Sequence, residues 1–257
     1  MNIFLLSIIE RRIGRVMARL SQLQHSLYFL NAGHNEILLN QTKTVIDTYF
    51  HFFRSVKILQ GDYHYDGTTI IKTLVITDHS LDQAEGIDKK LLGLIRLQDT
   101  TTIIPVNINI SSNAKISQYL GTGIINIMEK SGRFYLQELS IPCCSFSQSE
   151  HDLGYLEDAL NSESVSKINS LRELAAAYGK NYNHFQRDCK EYFGDTFHQF
   201  QNKLRMMDVL EDIMFTPFSF KEIAYRHNFA GYNSMYTLFH KKYHFPLDSI
   251  PRFKTES

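Results

Sequence analysis

The sequence predicts an α+β N-terminal region followed by an all-α C-terminal domain built from two helix-turn-helix motifs. Three observations carry that expectation. Runs of β-branched and aromatic residues, separated by turn residues, dominate the first half. Apolar spacing becomes helical further along the chain. A short motif then occurs twice, because Ser170-Leu-Arg-Glu173-Leu-Ala175 returns as Ser219-Phe-Lys-Glu222-Ile-Ala224, forty-nine residues later.

The first elements are read in chain order. Met1 to Ile9 is apolar but is followed by Glu10, Arg11 and Arg12, the reverse of a signal peptide's charge order. It is also too short for the roughly 20 apolar residues of a membrane span. It reads as a buried strand or the start of an amphipathic helix. Ser26-Leu-Tyr-Phe-Leu, Glu36-Ile-Leu-Leu, Tyr49-Phe-His-Phe-Phe and Thr69 to Ile76 read as strands. Asn31-Ala-Gly33, Gln60-Gly-Asp and Asp66-Gly67 supply the turns between them. Ile103 to Ile110 is one more strand, and its Pro105 places it at a sheet edge. Ile116, Leu120, Ile124, Ile127 and Met128 then fall at helical spacing, and Phe134, Leu136 and Leu139 continue in a second segment. The polar stretch Ser145 to Asp152 reads as a link between an N-terminal region, residues 1–155, and a C-terminal domain, residues 160–257.

Each copy of the repeated motif has the form of a capping box, with a Ser accepting from first-turn N–H groups and a Glu reaching back. Behind each box, Asn183, Phe185, Cys189 and Phe193 match Asn233, Met235, Phe239 and Tyr243 at an offset of fifty, so one residue has entered the second turn. Gly179-Lys-Asn181 makes the first turn, and Gly194 caps the helix that follows. Phe197, Phe200, Leu204, Met207, Leu210 and Met214 form the stripe of a long connecting helix, whose wet face is expected to carry Lys203, Arg205 and Glu211. Thr216-Pro217 ends it. Two short helices, a tight turn and a polar second helix, repeated, is the pattern of two helix-turn-helix units.

These residues resemble the AraC/XylS family of transcription regulators. The resemblance rests on Ser170-Leu-Arg-Glu-Leu-Ala, Phe185-Gln-Arg187, Lys190-Glu-Tyr-Phe-Gly194, Lys203-Leu-Arg205, Ser219 to Arg226, Phe229 and Phe239 to Tyr243, about a third of the chain. It implies a DNA-binding C-terminal domain preceded by a sensor region with cupin-like strands, here shortened. It also implies double-stranded DNA as partner, and leaves RNA polymerase, a small-molecule effector and a homodimer as further partners. Four positions depart from the pattern. Asn228 stands for a turn Gly and His244 for a terminating Gly. Asp188 replaces an apolar or small residue and Thr237 a frequent Arg.

The candidate DNA-contacting residues on the first recognition helix are Asn183, Gln186, Arg187 and Lys190, within two turns on one connected face. By the resemblance, Gln186 and Arg187 fall at base-reading positions; Arg suits guanine O6/N7, and Gln or Asn suits adenine N6/N7. On the second helix the candidates are Asn233, Ser234 and Thr237, then His240 and the phosphate-type cations Lys241 and Lys242. This helix is expected to contribute more affinity than discrimination. The competing reading of all these side chains is the solvated face of an ordinary amphipathic helix.

Other chemistry has weaker support. Net charge is zero over 257 residues, and from Asn161 onward 13 Lys and Arg face 11 Asp and Glu, a thin surplus for nucleic acid. Three cysteines without CxxC form no disulfide framework, which suits a reducing cytoplasm, and Cys143-Cys144 read as small buried hydrophobes. Eleven histidines show no HxH or HExxH spacing, and Tyr63-His64-Tyr65 reads as a surface hairpin, so no metal and no cofactor are expected. Gly121-Thr-Gly123 alone is too weak for a phosphate loop, and no catalytic constellation is visible, so an enzyme is the remotest class. The expected function is a sequence-specific regulator of double-stranded DNA with two recognition helices in successive major-groove segments. The alternative is an effector- or protein-binding module whose helix-turn-helix domain no longer binds DNA.

Overall fold

Two long helices open the chain, α1 (Ile3–Gln24) and α2 (Gly33–Ser55). The computed structural model describes residues 2–24, 33–77, 79–146, 153–161 and 170–253. The strand expected at Ser26–Leu30, the start of the Asn31 turn and the polar link from 147 to 152 lie outside the described residues.

After α2 come β1 (Thr69–Val75), the short α3 (Ser80–Gln83) and α4 (Gly86–Arg96). The strands β2 (Thr102–Ser111), β3 (Lys115–Asn126) and β4 (Ser131–Pro142) complete the sheet. Neighbours pair antiparallel in the order β1-β4-β3-β2, so the Pro105 strand lies at an edge, as its proline requires. The architecture is therefore α+β, then all-α, with helices before the strands as well as after them.

Two element assignments are corrected. Glu36–Leu39 and Tyr49–Phe53 are helix, not strand. α2 is enclosed on two sides, so Tyr49, Phe50, Phe52 and Phe53 are all buried and only His51 breaks the run. Within that run four of five residues are buried, so the run alone shows no one-sided 3.6-residue pattern, although Glu36, Asn40, Lys43 and Arg54 keep one side of α2 exposed. Conversely, Ile116, Leu120 and Ile124 lie on β3 rather than a helix, and Phe134, Leu136 and Leu139 of the second segment lie on β4. Spacing by four also keeps residues on one face of a strand. Ile127 and Met128 fall in the turn beyond, with Met128 fully in solvent. Gly121 and Gly123 serve this close-packed sheet: a Cβ at Gly121 would sit 1.8 Å from the Tyr135 carbonyl oxygen, and one at Gly123 would strike the Phe134 ring.

The sheet is covered on both faces. Leu91, Leu92 and Ile95 of α4 pack on Val106, Ile108, Ile125, Phe134 and Leu136. On the other face α2 places Leu38 beside Ile103, Ile124 and Tyr135, and Thr42 exchanges a 2.8 Å hydrogen bond with Thr122. Asn109 donates to Glu10 of α1 at 2.9 Å. The opposite sides of α1 and α2 bear directly on the C-terminal helices. Phe4 stacks on Tyr192 at 5.5 Å and leans on Phe193 at 5.8 Å, while Phe52 meets Phe245 edge-on at 5.4 Å. One apolar core thus runs from Phe4 to Ile250.

The C-terminal helices are α5 (Tyr155–Asn161), α6 (Leu171–Ala177), α7 (Tyr182–Phe193), α8 (Phe197–Phe215), α9 (Phe220–Arg226) and α10 (Tyr232–Tyr236). The last continues through Thr237–Lys242 as a wider π turn. The expected wet face of α8 is a further correction. Lys203 and Glu211 are buried. Lys203 is ion-paired to Asp195 and donates to the Lys57 carbonyl at the end of α2. Glu211 accepts from Arg15 Nε at 2.6 Å and from Arg19 at 2.8 Å, so α1 covers what was expected to face water. Arg205 lies over the Phe229 ring, its guanidinium carbon 4.0 Å from the centroid. Cys143 and Cys144, expected to be buried, lie at the surface end of β4, half-buried and exposed.

Candidate nucleic-acid interface

Local chemistry builds both motifs. Ser170 Oγ accepts the Glu173 N–H at 3.3 Å and starts α6. At Ser219 the box is reciprocal: Oγ accepts the Glu222 N–H, and the Glu222 carboxylate accepts the Ser219 N–H at 2.7 Å. Those bonds, from the Ser219 hydroxyl first and its N–H second, hold the Glu222 carboxyl below the usual glutamate range. Thr196 and Gln199 form a second reciprocal box at the start of α8, which the sequence reading did not single out. Asn181 caps α7 by accepting the His184 N–H at 2.9 Å. Gly194 ends it at φ 74°. Asn228, at φ 56°, takes the left-handed turn position where the family pattern has glycine, and His244 does so at φ 53°.

On α7, Phe185, Cys189 and Phe193 turn inward. Burial first and then neighbouring Asp188 push the Cys189 thiol up to about 12, so it is held as an unreactive thiol. Asn183, Arg187 and Lys190 project outward and Gln186 is half-buried beside them, all on the face opposite the core. The arginines at 172, 205, 226 and 252 each lie over an aromatic ring. Among the described residues, Arg187 has no such ring, hydrogen bond or ion pair. Its fork of five donors is free for a ligand.

Asp188, the departure that set an acid between Arg187 and the core, is buried and accepts from the Tyr155 hydroxyl at 2.7 Å. It therefore faces α5 rather than the polar face. The same holds for much of the domain's acidity. Asp195 is bound to Lys203, Asp208 and Glu211 to the α1 arginines, and Asp212 to His227 at 2.9 Å and Arg226 at 3.4 Å. Of these acids, Asp208 and Glu211 are neutralised by arginines from outside the C-terminal segment, whereas Asp195 and Asp212 pair with its own Lys203 and Arg226.

On α10 and the π turn that continues it, Met235 and Phe239 are buried, whereas Asn233, Ser234, Thr237, His240, Lys241 and Lys242 are exposed. Lys242 lies over the Tyr243 ring at 5.2 Å. A column of rings missed in the sequence reading runs along this helix: Tyr232 to Tyr236 at 5.9 Å and Tyr236 to His240 at 4.9 Å, 13° from parallel. Its signal was available as the i, i+4, i+8 spacing of Tyr232, Tyr236 and His240. Among the described residues no cluster of three or more His, Cys, Asp or Glu could hold a metal, and no helix is long and apolar enough to cross a membrane.

This pair of capped motifs around one central helix defines a double helix-turn-helix domain. Residues 174–248 match the family model described as a helix-turn-helix domain, and this segment is a helix-turn-helix domain of the AraC type. A solved structure described as the xylose-binding transcription activator XylR is similar over 44% of this chain at 16% identity, with a TM-score of 0.32. The match spans 30% of that protein's chain, too slight a likeness to carry its ligand or assembly over. No curated protein matches the chain.

Proposed function

We propose that this protein is a sequence-specific regulator that binds double-stranded DNA through α7 and the α10 helix. The two helices would enter successive major-groove segments on one face of the duplex, about 34 Å apart. The observation that carries the reading is the outward face of α7, where Arg187 stands without a partner among the described residues, beside Asn183, Gln186 and Lys190. Arg187 would hold guanine and Gln186 adenine, each through two hydrogen bonds. Lys190, Lys241 and Lys242 would neutralise phosphates, adding affinity without sequence information. Asn233, Ser234 and Thr237 would meet base edges in the second segment.

Residues 1–155 would act as the regulatory part and 160–257 as the DNA-binding part. The regulatory part would dimerise the protein or receive an effector, and RNA polymerase would be the downstream partner. Selection from a random double-stranded library by the full chain tests the central claim. It is expected to enrich one sequence with two unequal blocks about one helical turn apart. Recovery of unenriched library would overturn it and favour a protein-interaction module on the same fold.

A further inference from the structure

We propose that Tyr236 reads the methyl group of thymine, so that the second recognition helix recognises its half-site by apolar contact. This rests on the DNA-binding reading above and deepens it. The fifty-residue offset that matches Asn183 with Asn233 also matches Gln186 with Tyr236, Arg187 with Thr237 and Lys190 with His240. The solvent pattern follows the same register: Gln186 and Tyr236 are half-buried, while Arg187 and Thr237 beside them are exposed. Tyr236 therefore occupies the station that Gln186 occupies on α7.

The ring at that station is held in place. His240 stacks on it at 4.9 Å and 13°, Tyr232 flanks it at 5.9 Å, and Tyr232 in turn stacks on Phe220 at 6.0 Å. Phe220 opens α9, so the preceding helix braces the column from behind. A braced aromatic ring cannot make the paired hydrogen bonds of an amide to adenine. It presents an apolar edge, and the apolar group that the major groove displays is the thymine C5-methyl. Thr237, standing where Arg187 stands in the first copy, adds a methyl-bearing side chain beside the ring. Polar readout by α7 and apolar readout by α10 follow from one repeat in which Tyr236 and Thr237 replace Gln186 and Arg187.

Replacing thymine by uracil removes only the methyl and keeps base pairing, so a uracil scan of the selected sequence isolates this contact. With the full chain, one or two uracil positions in the block away from the Arg187-dependent one are expected to weaken binding about fourfold each, the worth of one buried methyl. Tyr236→Phe keeps the ring and should keep that sensitivity. Tyr236→Ala should lose it at one position, and Tyr236→Gln should shift selection there towards adenine. Helical circular dichroism and a cooperative melt for each variant exclude misfolding. A selected sequence bound equally well with uracil throughout, or a uracil effect unchanged in Tyr236→Ala, would overturn the proposal while leaving DNA binding intact. Failure of the wild type to select any sequence would sink both.

Discussion

Tyr155 donates its hydroxyl to Asp188 at 2.7 Å and so joins α5 to the inner side of α7. The bond turns an acid that seemed to oppose DNA recognition into part of the domain's internal scaffold. Tyr155→Phe is expected to lower unfolding free energy by about 2 kcal/mol, since it leaves a buried carboxyl group without its hydroxyl donor. Denaturant unfolding would measure the loss, and the sequence selected from random DNA should stay the same. A changed preference would show that Asp188 reaches the ligand.

Arg187→Ala is expected to cost about 1–3 kcal/mol at the selected sequence and to relax choice at one base pair. Lys241→Ala should weaken all sequences alike and flatten the salt dependence by about one unit of slope. Binding titrations on selected and random duplexes at several salt concentrations distinguish them. Equal losses on both duplexes for Arg187→Ala would remove it from base reading.

Glu211 is buried between Arg12, Arg15 and Arg19, all contributed by α1. In the full chain Glu211→Ala is expected to destabilise by about 3 kcal/mol, because it removes the buried acid shared by three guanidinium groups and leaves Arg12 and Arg15 only the half-exposed Asp208. A fragment from residue 161 is expected to fold as a helical unit but to melt below the full chain, since Phe4 and Phe52 no longer cover Phe193 and Phe245. In that fragment the same substitution should cost far less. Equal costs in the two contexts would show that the ion pairs do not couple the regions.

Ser219→Ala should cost about 1 kcal/mol at neutral pH through loss of the α9 cap. The Glu222 carboxyl is depressed by its bonds to Ser219, so its stabilising contribution is present above the ordinary glutamate value and disappears as pH falls through the lower, folded value. The gap between wild type and Ser219→Ala in thermal melts should therefore narrow in acid. A gap that widens below pH 4 would contradict this box.

What was legible in the sequence was local. The Ser219 box, the Gly194 cap and the tolerance of Asn228 for a left-handed turn each depend on residues within a few positions. What was hidden depends on contacts across the chain. β3 is buried along both faces and the Tyr49–Phe53 run of α2 is buried at four of its five positions, so neither stretch carries the one-sided pattern that separates helix from strand. Glu211 looked wet because its partners lie nearly two hundred residues earlier, and Asp188 looked out of place because Tyr155 belongs to another helix. The candidate reading face was legible in Gln186 and Arg187, where motif and spacing agree. Tyr236 was not, since an aromatic residue in a helix is ordinarily counted towards the core.

Encasement of α8 has a consequence for how such a chain can vary in length. One residue inserted into a regular helix advances everything beyond it by 1.5 Å and turns it by about 100°. Inside α8 that would carry the second motif round the axis and pull Glu211 and Lys203 from the pockets built for them. The turns have no such constraint. The two copies already differ there, since the step from first helix to recognition helix is one residue longer between Phe220 and Tyr232 than between Leu171 and Tyr182. Insertions and deletions among descendants of this chain should collect in those turns and spare the nineteen positions of α8.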